Sequence, residues 1–170
     1  MSVNDAEVRR WLDMMPFPDN PKQSLQPGAR LAGSWEGWLA AGKEMAGMEE
    51  ALGRMLEGEK DAVTRSRAAL ALGSLGGAAS VNVLINALAS DVPLVQMEAA
   101  SALGRIGDSE ALEPLSRALQ SPDSNVRANA GMALGRLGGE KARDYLKRAS
   151  RDEDPFVRAA VEEALRGMSK

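Results

Sequence analysis

From residue 64 onward the apolar positions of this chain fall into a pattern that repeats every 31 residues. Val126–Gly138 reads VRANAGMALGRLG. Val95–Gly107 reads VQMEAASALGRIG, Thr64–Gly76 reads TRSRAALALGSLG, and Val157–Met168 reads VRAAVEEALRGM. Block 64–94 shares ten identities with 95–125, which shares twelve with 126–156. Within each core the apolar residues recur at 3–4 spacing, which predicts a helix with one buried stripe. Leu72, Leu103, Leu134 and Leu165 fill one core column, and Leu75, Ile106, Leu137 and Met168 another. Ala68, Ala99 and Ala130 form a small-residue column, which lets the helices of neighbouring repeats approach closely. A second helix follows in each unit, over about 78–89, 109–120 and 140–150, anchored by Leu84, Leu115 and Leu146.

The remaining columns carry the helix boundaries. Asp61, Asp123 and Asp154 share a position suited to capping the first helix, and Val92 breaks that column. Arg65, Arg127 and Arg158 share another, broken by Gln96 in the same repeat. The joint break predicts that Asp and Arg pair as a ladder between neighbouring units. Gly76, Gly107 and Gly138 suit the left-handed residue that ends a helix. Gly73, Gly104 and Gly135 fall inside the last turn, where glycine costs about 1 kcal/mol against alanine. Close backbone packing is the expected compensation.

The N-terminal part differs. Asn4 or Asp5 can cap a helix carrying Val8, Trp11, Leu12 and Met15. Pro16, Pro18, Pro21 and Pro27 impose an irregular connector. A helix over 29–41 carries Leu31, Trp35, Trp38 and Leu39. Met45, Met48, Leu52, Met55 and Leu56 form a further stripe, read as core. The expected organisation is therefore 1–29 as a helix and proline-rich connector capping the array, 30–60 as a degenerate first repeat, and 61–170 as regular repeats. At the far end, Glu162 and Glu163 stand in columns that are small or apolar elsewhere. A charged face there is what a terminal cap needs, so the array is expected to be complete.

Composition narrows the function classes. The chain has no cysteine and no histidine, which removes thiolate chemistry and the commonest general base and metal ligand. Its net charge of −3 argues against a nucleic-acid binder, although residues 63–170 alone are weakly basic. No apolar run is long enough for a membrane span, and the polar start is no secretory signal. The expected compartment is the cytoplasm. Carboxylate clusters such as Glu49/Glu50 and Asp152/Glu153/Asp154 lie at helix ends, without the apolar setting that acid–base work needs. No catalytic, cofactor or metal site is expected.

The pattern D-x-x-V-R-x-x-A-x-x-A-L-G-x-[LI]-G stands here as DSNVRANAGMALGRLG at 123–138, and A-[LV]-x-P-L-x-x-A-L within SEALEPLSRALQ at 109–120. This resembles the HEAT-like repeats of the phycobilisome-lyase type, well over 61–170, loosely over 30–60 and not at all before. The resemblance implies an all-α, right-handed α-solenoid of antiparallel helix pairs, about ten helices in all, with second helices lining the concave face. It implies a protein-binding scaffold, or an accessory of the bilin-lyase kind that handles a chromophore or its acceptor protein. The diiron hydroxylases built on such repeats need histidine ligands that this chain lacks.

On that architecture the variable positions between the core leucines of the second helices face a partner. They are Asn82, Val83 and Asn86, then Glu113, Pro114 and Arg117, then Asp144, Tyr145 and Arg148. Tyr145, Arg117 and Arg148 are of the types enriched in interface hot spots. Lys141, Arg143, Lys147 and Arg151 make the last second helix basic, and neighbouring carboxylates balance most of that charge. The expected partner is a protein rather than nucleic acid or membrane. Self-association through the tryptophan-rich N-terminal part is compatible with this.

Overall fold

A computed structural model of the chain describes residues 4–13 and 47–168. The expected connector and the helix over 29–41, with Trp35 and Trp38, lie outside the described residues, as do Met15 and Met45. The first described helix is α1 (Asp5–Asp13), followed by α2 (Met48–Gly58). Three helix pairs and a final helix then run α3 (Ala62–Leu75), α4 (Ser80–Ala87), α5 (Pro93–Ile106), α6 (Leu112–Ala118), α7 (Ser124–Leu137), α8 (Gly139–Ala149) and α9 (Pro155–Gly167). A 3₁₀ turn, Ser109–Ala111, leads into α6. The described residues are all-helical and form an α-solenoid. First helices α3, α5, α7 and α9 make one layer; second helices α2, α4, α6 and α8 make the other.

The two layers are packed differently. First helices stack directly on one another, whereas neighbouring second helices make few mutual contacts. The in-helix glycines explain the first-helix stacking. A Cβ built on Gly73 would lie 2.5 Å from Ala102 Cα, one on Gly104 2.7 Å from Ala133 Cα, and one on Gly135 2.6 Å from Ala164 Cβ. Each glycine therefore receives the backbone of the next first helix, and only its missing side chain permits this. Ala68, Ala99 and Ala130 are wholly buried, as their column required. The glycines, however, meet a different alanine column, Ala102, Ala133 and Ala164. Leu72, Leu103 and Leu134 fill the core, with Leu84, Leu115 and Leu146 facing them from the second helices. Leu75, Ile106, Leu137 and Met168 pack at its edge, half-buried.

The helix ends follow the polar columns. Asp61 accepts from the Thr64 amide, Asp123 from Asn125 and Val126, and Asp154 from Phe156. Val92 caps nothing, and Pro93 opens α5 at a position where a missing N–H costs little. Gly76 and Gly107 end their helices in left-handed conformation, with φ of 77° and 76°. Asn4 and Glu7 satisfy each other's backbone amides at the start of α1, a capping box. That helix buries Val8, Trp11 and Leu12 against α2 and α3, beside buried Met48, Leu52, Met55 and Leu56. Trp11 is thus a core residue.

The expected pairing of the Asp and Arg columns is not what forms. The Asp column is committed to amides of its own helix, so the Arg column reaches the turns on either side. Arg127 donates to the carbonyls of Ser121 and Pro122 behind it, and with two N–H groups to the Asp152 carboxylate ahead, both at 2.9 Å. Arg158 donates to the carbonyls of Asp152 and Glu153. Arg65 donates to the Leu56 carbonyl and to Ser90 Oγ, the position equivalent to Asp152. Gln96 keeps half of the role, donating to the carbonyls of Leu88 and Ser90. Each of these side chains satisfies backbone acceptors left over at the end of a second helix. Arg65 and Arg127 also tie one inter-repeat turn to the next. Arg127 is 8% exposed, and its hydrogen bonds hold the Asp152 carboxyl below the usual aspartate range, while Asp152 raises Arg127.

Stability should respond to this packing at two places. An ordinary helical Gly→Ala change gains up to about 1 kcal/mol, but Gly104→Ala is expected to lose about 1–3 kcal/mol through overpacking. Gly58→Ala, where a Cβ meets open space, should not destabilise. Urea unfolding of the two variants checks the contrast. Arg127→Met should cost about 3 kcal/mol at pH 7, because it strands the shielded Asp152 charge. Since the folded-state pKa of Asp152 is depressed, its stabilising contribution is present above the unfolded value of about 4 and is lost as pH falls through the folded value. Urea midpoints measured at a series of pH values falling from about 7 to below the unfolded aspartate value of about 4 should therefore show the wild type's advantage over Arg127→Met shrinking towards the acid end.

Candidate functional site

The second-helix layer holds the positions marked as partner-facing, and the wide spacing of its helices turns the layer into a series of clefts. The larger lies between α6 and α8 and has a volume of about 800 Å³. Tyr145 and Arg148 line it from α8, Ser116 from α6, and Gln120 and Ser121 from the turn after α6. Arg151 and the Arg127–Asp152 pair complete it. The second cleft, about 280 Å³, lies between α4 and α6, with Pro114 and Arg117 among its walls and Ile85, Leu88, Ala118 and Val126 giving it an apolar character. The two share Gln120, Ser121 and Pro122, so they adjoin across the α6–α7 turn.

Four of the nine predicted residues, Pro114, Arg117, Tyr145 and Arg148, thus border two adjoining clefts. A fifth is joined to them directly: the Tyr145 hydroxyl donates to the Glu113 carboxylate at 2.8 Å, and Lys141 Nζ lies 3.6 Å from the same carboxylate. This contact links α6 to α8 and fixes the half-buried tyrosine ring at the cleft wall. Val83 is apart from them. It packs over Gly53 of α2 and, with Glu49, Glu50 and Glu57, borders a third hollow of about 280 Å³. Asn82, Asn86 and Asp144 are exposed and line none of these three hollows.

Three contributors were not among the predicted site residues. Gln120 and Arg151 sit at or just past the ends of second helices, where helical periodicity no longer says which way a side chain points. Arg151 was visible in the sequence as part of the basic run after Lys141, but local charge balance accounted for it. Ile85 stands beside the core columns and looks like core, yet remains half-buried at the cleft. Arg117, Arg148 and Arg151 take part in no ion pair among the described residues. No group of three or more acidic residues among the described residues is placed to hold a metal ion, and no described helix is long and apolar enough to cross a membrane.

Comparison with known proteins bears on the fold. The family profile for HEAT repeats matches residues 81–166, and that for the PBS lyase HEAT-like repeat matches 64–90. No curated protein matches the chain. Among solved structures, the complex of CpcE and CpcF of phycocyanin lyase from Nostoc sp. PCC7120 is similar with a TM-score of 0.69 and 22% identity, over 99% of this chain and 66% of that one. Human deoxyhypusine hydroxylase in complex with glycerol gives a TM-score of 0.64 at 22% identity, over 96% and 62%. An archaeal HEAT-like repeats protein from Thermococcus onnurineus NA1 gives 0.53 at 21%, over 95% and 64%. The chain spans less than two thirds of each of these proteins, and at such identities the likeness is one of fold. With repeats of 31 residues, paired helices stacked in two layers, and a HEAT-repeat profile over half its length, the chain belongs to the HEAT-repeat family.

Proposed function

We propose that this protein is a non-enzymatic interaction module whose second-helix layer docks a protein partner. The observation that carries the reading is the pair of adjoining clefts, bordered by positions that vary from repeat to repeat while the leucines beside them do not. Arg117, Tyr145 and Arg148 are the central contacts, and Glu113 and Pro114 frame them. Asn82, Val83, Asn86 and Asp144 extend the face along the array. The inner edge of a curved stack is its shorter one, and here the first helices are the closely spaced layer. The docking face is therefore read as the open edge of the stack, in place of the concave wall that the family resemblance implied.

A second reading is an accessory role of the bilin-lyase type, with the larger cleft holding a chromophore or part of its acceptor. The PBS lyase HEAT-like profile over 64–90 and the likeness to the phycocyanin lyase complex favour it. Under that reading, mixing the protein with a free bilin shifts the visible absorbance. Under the first reading the spectrum is that of the bilin alone.

The primary test is affinity capture from the host lysate with wild type and an Arg117→Ala/Tyr145→Ala/Arg148→Ala variant, both first shown folded by circular dichroism. A protein held by wild type and lost by the variant is the expected outcome, with affinity down by about tenfold or more. A protein held equally by both would remove the second-helix layer as the docking face.

A further inference from the structure

With the second-helix layer as the docking face, a reading on which the assignment rests, the chemistry of the clefts narrows the partner beyond "protein". We infer that the occupant is an extended acidic peptide segment with an apolar side chain within it. The segment runs across the α6–α7 turn, seating the apolar group between α4 and α6 and its carboxylates between α6 and α8.

Charge is the first ground. The chain as a whole carries −3, yet the two clefts are bordered by four arginines and only two carboxylates. One of those carboxylates, Asp152, is already held by Arg127 in a two-pronged hydrogen bond. Arg117, Arg148 and Arg151 remain for a ligand; Glu153 is the other carboxylate on the lining, and Glu113 at the wall is engaged by Tyr145 and Lys141. Arginine rather than lysine at all three suits carboxylate recognition, because its planar fork donates to both oxygens.

The second ground is that the clefts differ in kind and adjoin. Ile85, Leu88 and Val126 give the α4–α6 cleft an apolar lining, while the α6–α8 cleft is basic. Shared Gln120 and Ser121 supply hydrogen-bonding groups at the crossing, which suits the backbone of an extended chain more than a folded surface. Arg148 and Arg151 line the basic cleft, and Arg117 stands in the neighbouring one, in the same column as Arg148 one repeat earlier, so cations continue along the path across the turn. The charge excess also favours carboxylate over an apolar helix as the docking element.

The test is fluorescence anisotropy with the full-length protein and a labelled synthetic peptide in which aspartates and glutamates surround a central leucine–phenylalanine pair. Saturable binding is expected, weakened about tenfold or more by Arg148→Glu/Arg151→Glu and by about 0.5 M salt. Replacing the peptide's apolar pair by serines should weaken binding about fivefold or more, which leaves the protein untouched. Arg136→Glu, on the first-helix layer, should change little. Arg148→Gln/Arg151→Gln, milder for the helix, should reproduce the loss if the charge-reversed pair misfolds.

Absence of saturable binding overturns the inference. So does equal binding of a lysine-substituted peptide, or of the acidic peptide by the charge-reversed variant. Tighter binding of a single-stranded oligonucleotide that is lost in the same variant would overturn it in favour of phosphate. A partner captured from lysate and lost by the triple-alanine variant, alongside a silent peptide, would remove the acidic-peptide assignment and leave the docking face standing.

Discussion

Everything in this solenoid depends on how closely the first helices approach. Gly73, Gly104 and Gly135 lie where the backbone of the following helix arrives, within distances that no Cβ tolerates. The cost of glycine inside a helix, about 1 kcal/mol each, is offset by burial of a continuous row of alanine and leucine along the stack. Tight spacing in one layer leaves the other wide, because paired helices are tied by short turns. The second helices meet chiefly the first helices that follow them, α4 on α5, α6 on α7 and α8 on α9, with Leu84, Leu115 and Leu146 buried in the core, while α4, α6 and α8 scarcely meet each other. Clefts are the consequence of that geometry, not an addition to it.

A second set of interactions fixes the turns. Helix ends leave carbonyls without partners, and in a stack of short helices such ends recur at every repeat. The Arg65, Gln96, Arg127 and Arg158 column answers them with side chains that reach back to one turn. Arg65 and Arg127 also reach forward to the next. Where the forward partner is Asp152, the link becomes a shielded ion pair, and the same pair lines the larger cleft. Structural stitching and candidate docking surface thus share residues. A partner carboxylate would find Asp152 already neutralised and the arginines beyond it open.

The family fold is used elsewhere for different ends, and nothing in the stacking dictates one of them. The features that bear on recognition are local: a cleft with Tyr145 held by Glu113, arginines around it, and an apolar neighbour across one turn.

By itself the sequence determined the repeat, the helix pairs, the caps at Asp61, Asp123 and Asp154, and the burial of the leucine columns. These rest on local preferences and on 3–4 periodicity, both written along the chain. It also located tight packing at Gly73, Gly104 and Gly135, since a costly residue kept in three repeats needs a spatial reason. Tertiary structure decided which alanines the glycines meet and where the arginine column goes. Joint loss of Asp and Arg in one repeat read as pairing, yet the Asp side chains were already taken by nearby amides. The candidate site was legible only in part. Arg117, Tyr145 and Arg148 stand on helices whose faces can be counted, whereas Gln120 and Arg151 stand at helix ends, where direction is set by how one turn packs on the next. Cleft formation itself depends on the difference in spacing between two layers, a property of the stack that no single repeat contains.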